Sequence, residues 1–164
     1  MLKPDIYLER VTMLTPEMLD TMGVKGLLLD VDNTLSTHHG TELLEGLEEW
    51  IAKMREKGVP LIILSNSKNK RVEPFAKRIG LPFISLGLKP LPVGFIKAAK
   101  KMNLPFRSLA LCGDQVFTDY IGARISGVKI VLLKPIKPED KLSFKIRRSL
   151  ERKLLKNVKK GRYQ

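Results

Sequence analysis

The chain has 164 residues, 43% of them hydrophobic, a formal net charge of +13 and a single cysteine. That size implies one domain with a proper core, and the lone Cys112 excludes an intrachain disulfide and a cysteine-rich metal cluster and suits a reducing compartment. The longest apolar runs, such as VPLIIL, fall far short of a membrane span. MLKPDIYLER, with Asp5 and Glu9 and no apolar core, lacks the pattern of a targeting segment, so a cytoplasmic location is expected.

Near the start, VTMLTPEMLDTMG predicts a short extended piece and then a helix beginning at Thr15 and Pro16. Apolar runs follow at 27–31, 59–64, 81–86, 108–112 and 128–133, each bounded by Gly, Pro or polar residues, and they predict five buried strands. Helical patterns alternate with them: TELLEGLEEWIAKMREKG with Leu43, Leu47, Trp50, Ile51 and Met54 on one face, then KNKRVEPFAKRIG, PVGFIKAAKKMN and TDYIGARISG. The alternation predicts a doubly wound α/β domain with a parallel sheet over residues 1–140. Gly58, Gly80 and Gly127 fall where helices should turn into strands, Pro92 suits a first helical turn, and Trp50 and Cys112 read as core. After KPIKPED, with Pro138, Glu139 and Asp140 suited to a first turn, a final helix is expected within 141–164.

Ligands of doubly wound sheets bind at the carboxyl ends of the strands, and the polar residues of this chain fall there. The first run ends in Asp30, Asp32 and Thr34, the second in Ser65 and Asn66, Lys89 follows the third, and the fourth ends in Gly113 and Asp114 with Thr118 and Asp119 close behind. A turn closing a strand accounts for one such pair; four polar sets after four buried runs call for a shared task. Two carboxylates one residue apart repel each other and resist burial unless a cation or a reaction compensates. Asp30 and Asp114 suit a hard cation such as Mg2+. Asp30 can then attack phosphorus, Asp32 can protonate the leaving oxygen and activate water, Lys89 can stabilise the transferring phosphoryl group, and Ser65 can hold its oxygens.

With DVDNT, Ser65, Lys89 and GDQVFTD in this order, the chain resembles the haloacid dehalogenase (HAD) superfamily over roughly residues 1–140. More closely, MLKPD, DVDNTL, SN, KP and GDQVFTD resemble the YqeG-like group of its subclass IIIA, a group that includes phosphatidylglycerophosphate phosphatases. The resemblance implies Asp30 as nucleophile, Asp32 as general acid and base, Thr34 at the position following it in the motif, and Ser65, Asn66 and Lys89 on the substrate phosphate. It also implies Asp30, Asp114 and the Asp32 carbonyl on Mg2+, with Asp119 behind them. One position departs from the group, where another Lys often precedes the KP: here Leu88 stands in its place.

Too few residues separate Thr34 from the next helical pattern, or Ser65 from Lys89, for an inserted cap domain. An open site is expected, suited to a large substrate that covers it, such as a lipid phosphate in a bilayer or a nucleic-acid end. Residues 141–164 carry ten Lys or Arg against Glu151 alone. At helical spacing Leu142, Ile146, Leu150, Leu154 and Val158 sweep one side, and Lys141, Lys145, Arg148, Arg152, Lys156 and Lys159 crowd the other. Three readings of this basic amphipathic segment stand: docking on an anionic phospholipid membrane, packing on the sheet with a solvated basic face, and nucleic-acid binding. His38 and His39, in the loop over the site, are adjacent and poorly placed to share one metal; contact with a substrate headgroup or an exposed loop is expected.

Overall fold

The structure is a computed structural model that describes residues 3–37, 42–136 and 142–155. His38, His39, Pro138, Glu139, Asp140 and the last nine residues, with the expectations attached to them, lie outside the described residues.

Among the described residues six parallel strands form one sheet: β1 (Ile6–Leu8), β2 (Gly26–Leu29), β3 (Leu61–Leu64), β4 (Phe83–Ile84), β5 (Leu109–Gly113) and β6 (Lys129–Leu133), in the order β1-β6-β5-β2-β3-β4. The helices are α1 (Pro16–Met22), α2 (Leu47–Glu56), α3 (Asn69–Ile79), α4 (Val93–Met102), α5 (Ile121–Ser126) and α6 (Leu142–Leu155). Two apolar clusters flank the sheet. One gathers Leu27, Leu29 and Ile63 with Trp50 and Met54 of α2 and Phe75 and Ile79 of α3. The other gathers Leu28, Ile62 and Leu111 with Phe95 of α4 and Ala123 of α5. Adjacent strand residues thus go to opposite clusters, and β2, β3 and β5 are buried at every position, as a sheet covered on both faces requires.

The expected α/β architecture is present, with differences at its margins. The early strand is Ile6–Leu8, pairing in parallel with β6, while Val11–Met13 is a single 3-10 turn. Thr15 caps α1 by accepting from the Met18 amide at 3.2 Å, with Pro16 at its first turn and Gly23 closing it in the left-handed conformation. The run at 81–86 yields only the two-residue edge strand β4, half-buried. The helix expected from about residue 41 begins at Leu47: Gly46, at φ 75°, stops it, and Leu43 forms an isolated antiparallel bridge with Ser36. Trp50 is buried as expected, and its indole donates to the Leu14 carbonyl at 2.8 Å, joining α2 to the 3-10 turn.

Candidate active site

Strand order reverses between β2 and β5: the chain runs outward from β2 through β3 to β4, then returns to the other side of β2 with β5 and β6. The crevice beyond the carboxyl ends of β2 and β5 is therefore where this topology places a ligand. Asp30 follows β2 directly and donates its amide to the Cys112 carbonyl of β5 at 2.9 Å, which fixes it beside Asp114, the residue after β5.

Lys89 ties this crevice together. Its Nζ donates to Asp30 Oδ1 at 2.9 Å and to Asp119 Oδ1 at 2.6 Å, with the Lys89 side chain 2% exposed. Burial disfavours the ammonium, but Asp119 and Asp30 more than offset it and hold Lys89 above its ordinary value. Burial likewise pushes the Asp30 carboxyl up to about 7; Lys89 opposes the rise, and Asp119 and Asp32 add to it. Burial raises Asp114 well above the usual carboxylate range, against the pull of Arg148.

The chain is folded locally to hold Lys89. The Asn66 side chain accepts from the Lys89 amide at 2.7 Å and donates to the Lys89 carbonyl at 2.8 Å, so both ends of this amide grip the lysine's backbone. Ser65, buried just past β3, accepts from the Ser67 amide at 3.1 Å. On the opposite side, Asp119 lies on a π-helical turn, Val116–Tyr120, and accepts from the Gln115 amide at 3.1 Å through Oδ2. Gly113 is what lets it approach: a Cβ there would overlap the Asp119 carboxylate.

Asp30, Asp114 and Asp119 can each offer an oxygen within 4.8 Å of the others'. Asp119 already spends one oxygen on Lys89 and the other on the Gln115 amide, which leaves it as a support. Asp114 Oδ1, in contrast, is buried without a hydrogen-bond partner among the described residues. An orphaned carboxylate oxygen beside a second carboxylate is the donor set a hard divalent cation takes, so Asp30 and Asp114 fit Mg2+. Thr34 is also buried, its hydroxyl unpartnered among the described residues.

Three participants were not foreseen. Arg71, in the first turn of α3, pairs with Asp32 Oδ1. A cation there runs against the helix dipole, and the absence of any acid from that turn was the available signal. Arg148 of α6 pairs with Asp114 Oδ2, and its Nη1 donates to the Asp114 carbonyl and to Glu151 Oε2, both at 2.9 Å. Glu151, 2% exposed, accepts from the Val116 amide at 3.0 Å. The single acid in the basic tail was the clue to this contact. The expected faces of α6 are thereby corrected: Arg148, placed with the solvated basic side, turns into the site, while Leu150, placed on the apolar side, is 48% exposed. The physical reason is charge: buried Asp114 and Glu151 need a cation more than the core needs another leucine.

A buried ammonium clasped by two carboxylates at the switch point of a parallel sheet, with a cation-ready pair beside it, defines a hydrolytic centre of the HAD type. Residues 15–127 match the family model described as haloacid dehalogenase-like hydrolase, and the chain belongs to that family. It is 33% identical over 162 residues, 98% of this chain and 94% of the other, to "Probable phosphatase YqeG" of Bacillus subtilis (strain 168). Among solved structures, an uncharacterized protein from Listeria monocytogenes serotype 4b superposes with a TM-score of 0.60 at 16% identity, covering 72% of this chain and 85% of that one. CbbY from Rhodobacter sphaeroides, in complex with phosphate, gives a TM-score of 0.57 at 14% identity over 69% of this chain and 87% of its own. These two likenesses establish the fold.

Proposed function

We propose that this hydrolase is a Mg2+-dependent phosphomonoesterase whose substrate is an anionic phospholipid, phosphatidylglycerophosphate, converted to phosphatidylglycerol at the inner face of a membrane. The observation that carries the phosphatase reading is the Lys89 clasp on Asp30: a nucleophilic carboxylate beside a buried ammonium and a cation-ready carboxylate pair. The relative named a probable phosphatase supports it.

Asp30 attacks phosphorus, the bond to the leaving alcohol breaks, and Asp32 gives that oxygen its proton. Water, deprotonated by Asp32, then attacks the aspartyl phosphate, releasing inorganic phosphate and restoring Asp30. Lys89, placed by Asn66 and Asp119, faces the charge that builds on the phosphoryl oxygens. A divalent cation held by Asp30 and Asp114 would supply further neutralisation of that charge.

The lipid assignment rests on openness and charge. Among the described residues only α3 and β4 stand between Ser65 and Lys89, leaving no room for a cap. The basic surface of α6, exposed at Lys145, Arg152 and Lys153, suits an anionic bilayer. The test compares phosphate release from phosphatidylglycerophosphate in mixed micelles, a 3′-phosphorylated oligonucleotide and a soluble sugar phosphate. Preference for the micellar lipid is expected. Faster turnover of the oligonucleotide, with steep salt dependence, would replace the lipid by a nucleic-acid end.

A further inference from the structure

The loop carrying Lys89 also carries a cluster of exposed apolar side chains. Leu86, Leu88 and Leu91 are 52%, 52% and 57% exposed, and Val93 and Ile96 at the start of α4 are 38% and 40% exposed. Backbone bonds fold them into one knuckle: the Leu91 amide donates to the Leu88 carbonyl at 2.8 Å, and the Gly94 amide to the Gly87 carbonyl at 3.2 Å. Gly94 permits that approach, since a Cβ there would overlap the Gly87 carbonyl.

The knuckle is built, and at a cost. Leu86 and Leu88 both sit at positive φ, 47° and 57°, a conformation unfavourable for leucine that persists only where surroundings enforce it. The enforcement comes from below: the Leu86 amide donates to Ser67 and the Gly87 amide to Ser65, both carbonyls at 2.9 Å, and Asn66 grips Lys89. The left-handed turns at 86 and 88 let the chain point the leucines outward while Lys89, next after Leu88, points inward to Asp30 and Asp119.

Charge specifies the occupant. Residues 74–113 contain seven Lys or Arg and no Asp or Glu, and Lys97, next to Ile96 on α4, is exposed. Exposed apolar side chains in a strongly basic stretch match the interface of an anionic bilayer, where the former enter the acyl boundary and the cations meet headgroups; Glu73, which Asn69 links to Ser85 beside the knuckle, is paired with Lys77. We propose that this knuckle is the membrane-docking element of the enzyme, seating on an anionic lipid surface so that the crevice at Lys89 opens onto the headgroup layer. The proposal rests on the lipid-substrate reading for its purpose, but its test reads binding apart from turnover.

The protein and its Leu91→Ser/Ile96→Ser variant are floated with vesicles of phosphatidylcholine and phosphatidylglycerol, and with phosphatidylcholine vesicles alone. The variant should partition onto the anionic vesicles roughly tenfold more weakly, wild type should prefer anionic over neutral vesicles, and hydrolysis of a soluble aryl phosphate should be unchanged. In parallel, Leu91→Cys carrying a polarity-sensitive fluorophore should shift to the blue on anionic vesicles, and Lys57→Cys, at the opposite end of the sheet, should not. Cys112 is fully buried and leaves the label at the chosen position. Equal partitioning of variant and wild type, an unshifted label at 91, or a wild-type dimer that the variant dissolves while vesicle binding persists would overturn the docking proposal. If docking holds and the micellar lipid phosphate is not cleaved, it is the substrate assignment that falls.

Discussion

Arg148 shows how much a single side chain from the far end of the chain contributes to this site. It neutralises Asp114 and Glu151, two carboxylates of 2% exposure each. Removing one partner of a buried ion pair leaves the other charge uncompensated, which costs about 3–5 kcal/mol. Arg148→Ala should therefore lose stability of that order in denaturant melts without divalent cation, and millimolar Mg2+ should restore part of it by taking over Asp114. An unchanged melt would mean that α6 does not engage the site. Glu151, a lone acid in a basic tail, is the one hint the sequence holds of this contact; which cation meets Asp114 is not legible, because nothing local relates positions 114 and 148. The motif residues were legible for the opposite reason. Asp30, Ser65 and Asp114 each follow a buried run directly, and the strand end itself announces where the side chain goes.

Among the elements, the π-helical turn after β5 does the finest positioning. Its extra residue per turn swings Asp119 back over Gly113 to meet Lys89. Gly113→Ala would push that carboxylate away, and a misplacement of about an ångström costs roughly 100-fold in rate. Gly113→Ala should accordingly keep near-native circular dichroism yet lose turnover of an aryl phosphate by about that factor; full activity would show that the Asp119 contact does not place Lys89. The strands at the centre of the sheet were legible because β2, β3 and β5 are apolar at nearly every position, with only Gly26 and Gly113 at their ends apart. The margins were not. The pattern from residue 41 has helical periodicity, but Gly46 breaks it and Leu43 is more useful bridging Ser36. The sides of α6 were misread because amphipathicity ranks leucine above arginine for burial, a ranking that reverses where buried carboxylates wait for a cation.

At the scale of the whole molecule, the fold concentrates negative charge in a crevice of an otherwise strongly basic protein, and its stability should depend on pH accordingly. Native Asp30 keeps its proton up to about 7, whereas the ordinary value is 3.8. Between those values the native state binds more protons than the unfolded chain, so without metal stability falls as pH rises from about 4 to about 7. Asp114, also raised, acts in the same direction. Lys89, raised from 10.5, keeps its contribution throughout this window. Chemical denaturation in chelator between pH 5 and 8 should show that decline, and saturating Mg2+, which binds the ionised carboxylates, should flatten it. Stability that rises with pH in chelator would contradict the burial of Asp30. Deleting the tail removes Arg148 as well as exposed basic residues, so the proposed membrane attachment is better tested by Lys145→Gln, Arg152→Gln and Lys153→Gln combined, which leave the Asp114 contact in place and should weaken binding to anionic vesicles; unchanged binding would leave α6 out of it.

In the proposed reaction Asp30 becomes phosphorylated. The most direct test is to mix the enzyme with a radiolabelled phosphomonoester and Mg2+, quench in acid within milliseconds, and count label on the protein, for wild type and Asp30→Asn. Wild type should carry label that hydroxylamine releases, as an acyl phosphate requires, and Asp30→Asn should carry none. Turnover by wild type without any trapped label, or equal labelling of Asp30→Asn, would contradict that reaction.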